Sequence, residues 1–568
     1  MKVLRVLGVL FVVLLLLVWL SPSGFEIEDD SVLVLDVSGT YVESTDPPLL
    51  ARLAGDASVP FATLLSNLNK AERDARLAAV VLRIRSVGIG WAKAQELRAA
   101  IERVSAAGRR TVAYLELEAF SGNLELYIAS AADEVVASPA STAPLIGLAG
   151  EYLFLGGFFE ELGVDFDVAR IGRYKTAADT LSGKSMSDAH REMADALLDS
   201  IDAQFVAGIA EGRSLTPAQV RAAIDAAPFD AASLEALGII DRTSHFDGLW
   251  DDLGDPTRVD ADVYAAVDPA SVGFVPQATF ALVYGTGNVV TGDGRTTSTG
   301  EIVLASDTVS RALIDAAEDP EISAILFRID SPGGSALASD VIWRATQRVR
   351  ESGKPLIATF SDVAASGGYY VAAGADAIVA SPGSITGSIG VFVLRPVLAR
   401  TFEKLQIGVE SLTRGTHAGI QVSSQPLSPE TRARLREEVE SIYGLFLSRV
   451  ADGRPLDENQ VDAVAQGRVW TGAQAAEAGL VDELGGMREA LLLAKEKAGL
   501  PADADVALVP YPPPQPFAEQ LGEVLRQVSV SAVGDTPWSR WQRRLQPWID
   551  AANEGRAVAL LPFWFEVR

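Results

Sequence analysis

Residues 324–335 read Ala324-Ile-Leu-Phe-Arg-Ile-Asp-Ser-Pro-Gly-Gly-Ser335. The short apolar run Ala324–Ile329 fits a buried strand, and the Pro-Gly-Gly turn ends it. The next residues, Ala336–Glu351, carry the apolar spacing of an amphipathic helix. The same strand occurs earlier as Ala79-Val-Val-Leu-Arg-Ile84. Three more blocks recur in the same order. Ser121-Gly122 pairs with Ser366-Gly367, and Asp133-Glu-Val-Val-Ala-Ser-Pro139 pairs with Asp376-Ala-Ile-Val-Ala-Ser-Pro382. Leu237-Gly-Ile-Ile-Asp241 pairs with Ala478-Gly-Leu-Val-Asp482. The offset drifts from 245 to 241 residues, as loop insertions would produce. Four ordered matches imply a tandem repeat of two homologous domains.

Within the second copy, strand-like and helix-like segments alternate. Strands are expected at Ala281–Tyr284, Ala324–Ile329, Leu356–Thr359 and Ala377–Ala380. Helices are expected at Ser306–Glu318, Ala336–Glu351 and Gly368–Gly374. This alternation predicts an α/β fold with parallel sheets and crossover helices. A long helix should open at Ser428-Pro429-Glu430, with Ser as N-cap and Pro in the first turn, and run to about Val450. Its counterpart opens at Ser187-Asp188.

The chain has 568 residues, 48% of them hydrophobic and 22% charged, which fits a folded protein of two or more domains. A net charge of -27 argues against nucleic acid as a partner. There is no cysteine, so disulfides and thiol nucleophiles are excluded. The three histidines, His190, His245 and His417, show no metal-ligand spacing. Met1–Arg5 is basic, Val6–Leu20 is wholly apolar, and Glu26, Glu28, Asp29 and Asp30 follow. This order predicts an uncleaved N-terminal anchor with the bulk of the chain outside the cytoplasm. The expected domains are an anchor at 1–24, repeats at 30–268 and 275–505, and a Pro-rich linker and tail at 506–568. The apolar end of the tail, Ala557–Phe565, is expected to pack on the body or on a neighbouring subunit.

The chemistry centres on Phe360–Tyr370, F-S-D-V-A-A-S-G-G-Y-Y. Ser366 stands at a strand-to-helix turn, near the free N–H groups of a helix start, where an anion can develop. An ordinary N-cap serine would have the same surroundings. The Pro332-Gly333-Gly334 turn exposes further backbone N–H groups at the end of the adjacent strand, so both turns can share one cleft. A nucleophilic serine needs a base. Only His417 lies downstream in the same repeat. A lysine serves if burial removes its proton, whereas arginine keeps its own. Lys175, in Gly172-Arg-Tyr-Lys-Thr-Ala177 of the first repeat, stands out by position, although a solvated surface lysine fits it too. Aligning Gly172 with Gly415 sets Ala418 opposite Lys175. The first repeat has Val87-Gly88-Ile89 where the second has Pro332-Gly333-Gly334. Each half supplies what the other lacks.

Asp330-Ser-Pro-Gly-Gly-Ser335, Ala364-Ala-Ser-Gly-Gly-Tyr369, Thr386-Gly-Ser-Ile-Gly390 and Gly172-Arg-Tyr-Lys-Thr-Ala177 together resemble the signal peptide peptidase A family of the long, tandem-repeat type (protease IV). The resemblance spans nearly the whole chain, including Gln466-Gly-Arg-Val-Trp-Thr-Gly472. It implies two Clp-protease/crotonase-like domains behind an N-terminal transmembrane helix. Matched by position, Ser366 is the nucleophile and Lys175 the general base. Gly333 and Gly367 supply oxyanion donors, Gly334 shapes the turn, and Ser388 orients the lysine. Arg173 and Thr176 are conservative departures beside the lysine. The family needs no metal, ATP or other cofactor. It works as a homotetramer on the outer face of the cytoplasmic membrane, on signal peptides and unfolded polypeptides. Two rival readings stay open on the sequence alone, a crotonase-like acyl-CoA enzyme and a non-catalytic membrane scaffold.

Overall fold

Three sheets organise the described residues. The computed structural model describes residues 27–43, 59–118, 122–294 and 302–513, and the backbone of 558–560. The first sheet is built from Ser31–Val42, Leu77–Gly88, Arg110–Leu115, Glu134–Ala137 and Arg242–Thr243, neighbours in that order and all parallel. The second has Ala278–Thr286, Ile322–Ser331 and Leu356–Ala365 side by side, with Ala377–Ala380 and Ile385–Gly387 both on Leu356–Ala365. The central residues of these strands are apolar and buried on both faces, because crossover helices cover them.

The duplication is visible in hydrogen bonds as well as in strand order. Asp241 Oδ2 accepts Val135 N–H at 2.7 Å, and Asp482 Oδ2 accepts Ile378 N–H at 2.7 Å. Each aspartate ties the loop after a short helix to the same strand of its own sheet. The paired long helices, Asp188–Gly212 and Pro429–Gly453, are both 25 residues long, and Ser187 and Ser428 cap them through their side chains. Gly172 and Gly415 also share a left-handed backbone, φ 105° and 101°.

The helices Ser306–Glu318 and Ala336–Glu351 lie where the periodicity puts them. The strand leading to Ser366 differs from expectation. It runs to Ala365 rather than ending at Thr359, because its last third pairs with Ile385–Gly387 after leaving Ala377–Ala380. Val506–Tyr511, expected in the linker and tail, is an edge strand parallel to Ala278–Thr286, so the second sheet extends past residue 505.

The third sheet joins the two halves. Asp165–Ile171 of the first repeat runs antiparallel to Val391–Val397 of the second, from Ile171↔Val391 to Asp165↔Val397. Seven consecutive cross-strand pairs fix the register. Lys175 lies four residues beyond the end of this strand, so the register also sets where the lysine arrives. On the same sheet the backbone of Val558–Leu560 pairs antiparallel with Gly333–Ser335 and touches Val391–Val397 through Phe392↔Val558. That part of the tail packs on the body. Among the described residues no helix is long and apolar enough to cross a membrane, and the expected anchor at 1–24 lies outside them.

Candidate active site

Ser366 sits between the end of its strand and the helix Gly367–Ala372, with φ 55° and ψ -113°. A non-glycine residue held at positive φ costs about 1–3 kcal/mol, so its surroundings must enforce it. They do: Ser366 N–H donates to Gly387 O at 2.7 Å, and its carbonyl accepts Tyr370 N–H at 2.8 Å. Its position is that of an N-cap, yet its side chain makes no capping bond. The hydroxyl instead meets Lys175 Nζ at 2.8 Å, within one chain.

Lys175 is 0% exposed. Its Nζ also donates to Ser388 O and to Ser388 Oγ, both at 2.9 Å. Two N–H groups given to Ser388 and one lone pair facing the Ser366 hydroxyl satisfy a neutral amine fully. No carboxylate lies among these partners. Burial accordingly holds the Lys175 ammonium well below its usual range, with no compensating charge. Ser388 is itself fixed at φ 52°, its N–H donating to Arg468 O at 2.6 Å.

The lysine is threaded between glycines. A Cβ on Gly467 would lie 2.4 Å from Lys175 N, and one on Gly390 would lie 3.1 Å from Lys175 Cδ. Tyr174 N–H donates to Gln466 O at 2.8 Å, binding the lysine loop to the second repeat. The sequence motifs containing Gly390 and Gly467 were legible, but their use as walls for a side chain from the other repeat was not. Tyr174 is anchored in turn by Glu192, at 2.7 Å.

The glycine turn lies beside the serine. A Cβ on Gly367 would fall 3.0 Å from Gly334 N and 2.7 Å from Ser339 Oγ, so only glycine allows this approach. Gly333 and Gly334 have φ 104° and 157°, and a Cβ on Gly334 would meet Val289 O at 2.2 Å. Gly333 N–H currently donates to Ser331 Oγ at 3.2 Å. That hydroxyl is the acceptor of the Gly333 amide in this structure. Gly367 N–H belongs to the first helical turn, which has no acceptor of its own.

The structure thus gathers Ser366, Lys175, Ser388, Gly333, Gly334 and Gly367. His417 is elsewhere, its Nδ1 3.1 Å from Thr431 Oγ1. His190 is buried, which pushes it down to about 4. Ser121, the first-repeat counterpart of Ser366, lies outside the described residues. A cavity of about 830 Å³ lined by Phe61, Arg103, Phe274 and Met487 includes none of the gathered residues.

The family profile of peptidase family S49 matches residues 105–259 and again 348–501. The chain is 34% identical to "Serine protease SPPA, chloroplastic" of Arabidopsis thaliana, over 89% of this chain and 74% of that protein. It is 27% identical to "Protease 4" of Haemophilus influenzae, over 86% and 83%. It is 28% identical to "Protease 4" of Salmonella typhi, over 87% and 84%. One matched stretch falls in each repeat. The chain belongs to peptidase family S49, a serine peptidase built from two copies of the family unit.

Proposed function

We propose that this chain is a membrane-anchored serine endopeptidase in which Ser366 attacks and Lys175 is the general base. The observation that carries the reading is the 2.8 Å contact between Lys175 Nζ and Ser366 Oγ in a fully buried setting without a carboxylate. Neutral Nζ takes the hydroxyl proton as Oγ bonds to the peptide carbonyl carbon. The oxyanion turns to the N–H groups of Gly333 and Gly367, which replaces the Ser331 contact with a charged acceptor. Protonated Lys175 then gives its proton to the leaving amine, and the C–N bond breaks. Water enters by the same route and releases the acyl group from Ser366. Ser388 holds two of the amine's hydrogens and so keeps the lone pair aimed at Oγ.

The substrates are signal peptides after their release and other unfolded, apolar chains. The apolar run Val6–Leu20 anchors the protein, and the basic residues before it set the catalytic domains on the outer face of the cytoplasmic membrane. The subunits form a homotetramer. The exposed apolar side chains Phe158, Leu405, Ile407 and Leu412, the last 92% exposed, support an assembly that covers them.

The test is peptidase activity on an unfolded protein. Ser366→Ala and Lys175→Arg should each lose at least about 1,000-fold in kcat. Lys175→Arg tests the base directly, because arginine keeps a donor of similar length at the serine but cannot give up its proton. Full activity in either would overturn the assignment.

A further inference from the structure

A second buried lysine crosses between the repeats. Lys93, in the first turn of the helix Trp91–Ala106, is 4% exposed. Its Nζ lies 2.6 Å from Asp362, 2.8 Å from Asp330 and 3.2 Å from Glu43. Two of these carboxylates belong to the strands that carry the site. Asp330 stands three residues before Gly333, and Asp362 four before Ser366.

The pairing of those two strands breaks at this point. Ile329 pairs with Phe360 and Ser331 with Ala364, so Asp330 alone opposes Ser361, Asp362 and Val363. Such a bulge bends its strand and re-aims the residues beyond it. Here it precedes the turn that holds Ser366 at positive φ. The Asp330 side chain repairs the break by accepting Val363 N–H at 3.1 Å. Asp362 reaches the first repeat. It accepts the N–H groups of Gly90 and Lys93, at 3.0 and 3.1 Å, and so caps a helix of the other repeat. Gly90 must be glycine for this, since a Cβ there would fall 2.4 Å from Asp362 Cγ.

We propose that Lys93 is a positioning residue for the peptidase reaction: its ammonium, clamped to Asp330 and Asp362, fixes the bulge that sets the serine turn against the glycine turn. The inference rests on the reading of Ser366 as nucleophile. Burial alone would lower the pKa of Lys93, and the charges of Asp330, Asp362 and Glu43 more than reverse this, holding it charged. Docking of the first repeat is thereby felt at the nucleophile through Lys93, as it is at the base through the strand before Lys175. Arg328 extends the contact, meeting Glu43 at 3.1 Å and Glu96 at 2.6 Å.

A purely stabilising ion network would change the amount of folded protein and leave the folded enzyme as it was. The test therefore measures kcat and KM per folded molecule, with the folded fraction taken from circular dichroism, for full-length Lys93→Met and Asp362→Asn. Asp362→Asn keeps an oxygen for the helix start and the size of the side chain. Both should lose about 10- to 100-fold in kcat with KM within about twofold, whatever happens to Tm. If Lys93→Met does not fold, Asp362→Asn decides alone. A kcat per folded molecule within about twofold of wild type, or a loss confined to KM, overturns the proposal. Ser366→Ala is run beside them, since activity there would sink the nucleophile assignment and not the positioning argument.

Discussion

Lys175 and Lys93 are both buried lysines reaching from the first repeat into the second, and their surroundings are opposite. Lys175 meets two hydroxyls and a carbonyl. Lys93 meets three carboxylates. Burial disfavours an ammonium in both places, and only Lys93 has anions to offset it. One fold therefore favours the neutral amine at Lys175 and the ammonium at Lys93.

The first consequence is a pH profile. Lys175 must be neutral to act, and its folded pKa lies well below 10.5. Peptidase kcat/KM should rise with pH through that lowered pKa and then level off, with the inactive protonated form on the acid side. Lys175 loses its proton on the rising limb, so the slope on a logarithmic plot should approach one. Activity that falls as pH rises through the same range would contradict a lysine base.

The second concerns stability. In the unfolded chain Lys175 has an ordinary pKa, so between the lowered folded value and that ordinary value unfolding takes up a proton, and wild-type stability rises with pH across this window. Each unit of depression costs the fold about 1.4 kcal/mol at pH values below the folded pKa. Lys175→Met should therefore be inactive and yet melt higher than wild type near neutrality. Its advantage should shrink as pH approaches 10.5. Calorimetry across that range checks both the sign and the slope.

Much of this was legible in the sequence, for local reasons. Strand and helix spacing and the cap at Ser428 depend on near neighbours, and the paired aspartates Asp241 and Asp482 were marked by the repeat itself, although each bonds a strand more than 100 residues away. Gly172 and Lys175 were conspicuous because the other repeat lacks the lysine. The illegible part depends on contacts across nearly 300 residues. Gly467 looks like any turn glycine until Lys175 lies against it. Asp362 looks like a surface carboxylate until Gly90 and Lys93 arrive. The strand before Ser366 outruns its apolar run because its last third changes partners, which no periodicity records.

Gly467 supplies a third prediction. Its φ is +76°, and a Cβ there would lie within 2.6 Å of Lys175 N, Cα and Cβ. The obstacle is backbone, which cannot swing aside. Gly467→Ala should cost about 2 kcal/mol or more in stability and about 100-fold in kcat, by moving the base off the serine. Gly108 is the control, with φ +83° and nothing within 4 Å. Gly108→Ala should show only the backbone cost of about 1 kcal/mol and normal kcat. Equal kinetic losses in the two variants would mean that close packing on Lys175 is not what matters.

The fourth prediction comes from the strand Val558–Leu560. Its backbone pairs with Gly333–Ser335, the segment expected to hold the oxyanion, in the register Gly333↔Leu560 to Ser335↔Val558. A peptide substrate that binds as an added strand needs that same row of N–H and C=O groups. Chain ending before residue 558 should therefore bind extended peptides more tightly, seen as a KM several-fold lower with kcat little changed. Because the tail competes from within the same molecule, the effect should be greatest for short peptides with few contacts beyond this edge. An unchanged KM for such peptides would mean that substrate does not use the Gly333–Ser335 edge, or that the tail yields it without cost. Crosslinking a substrate peptide to position 335 in the full-length and shortened chains separates those two outcomes.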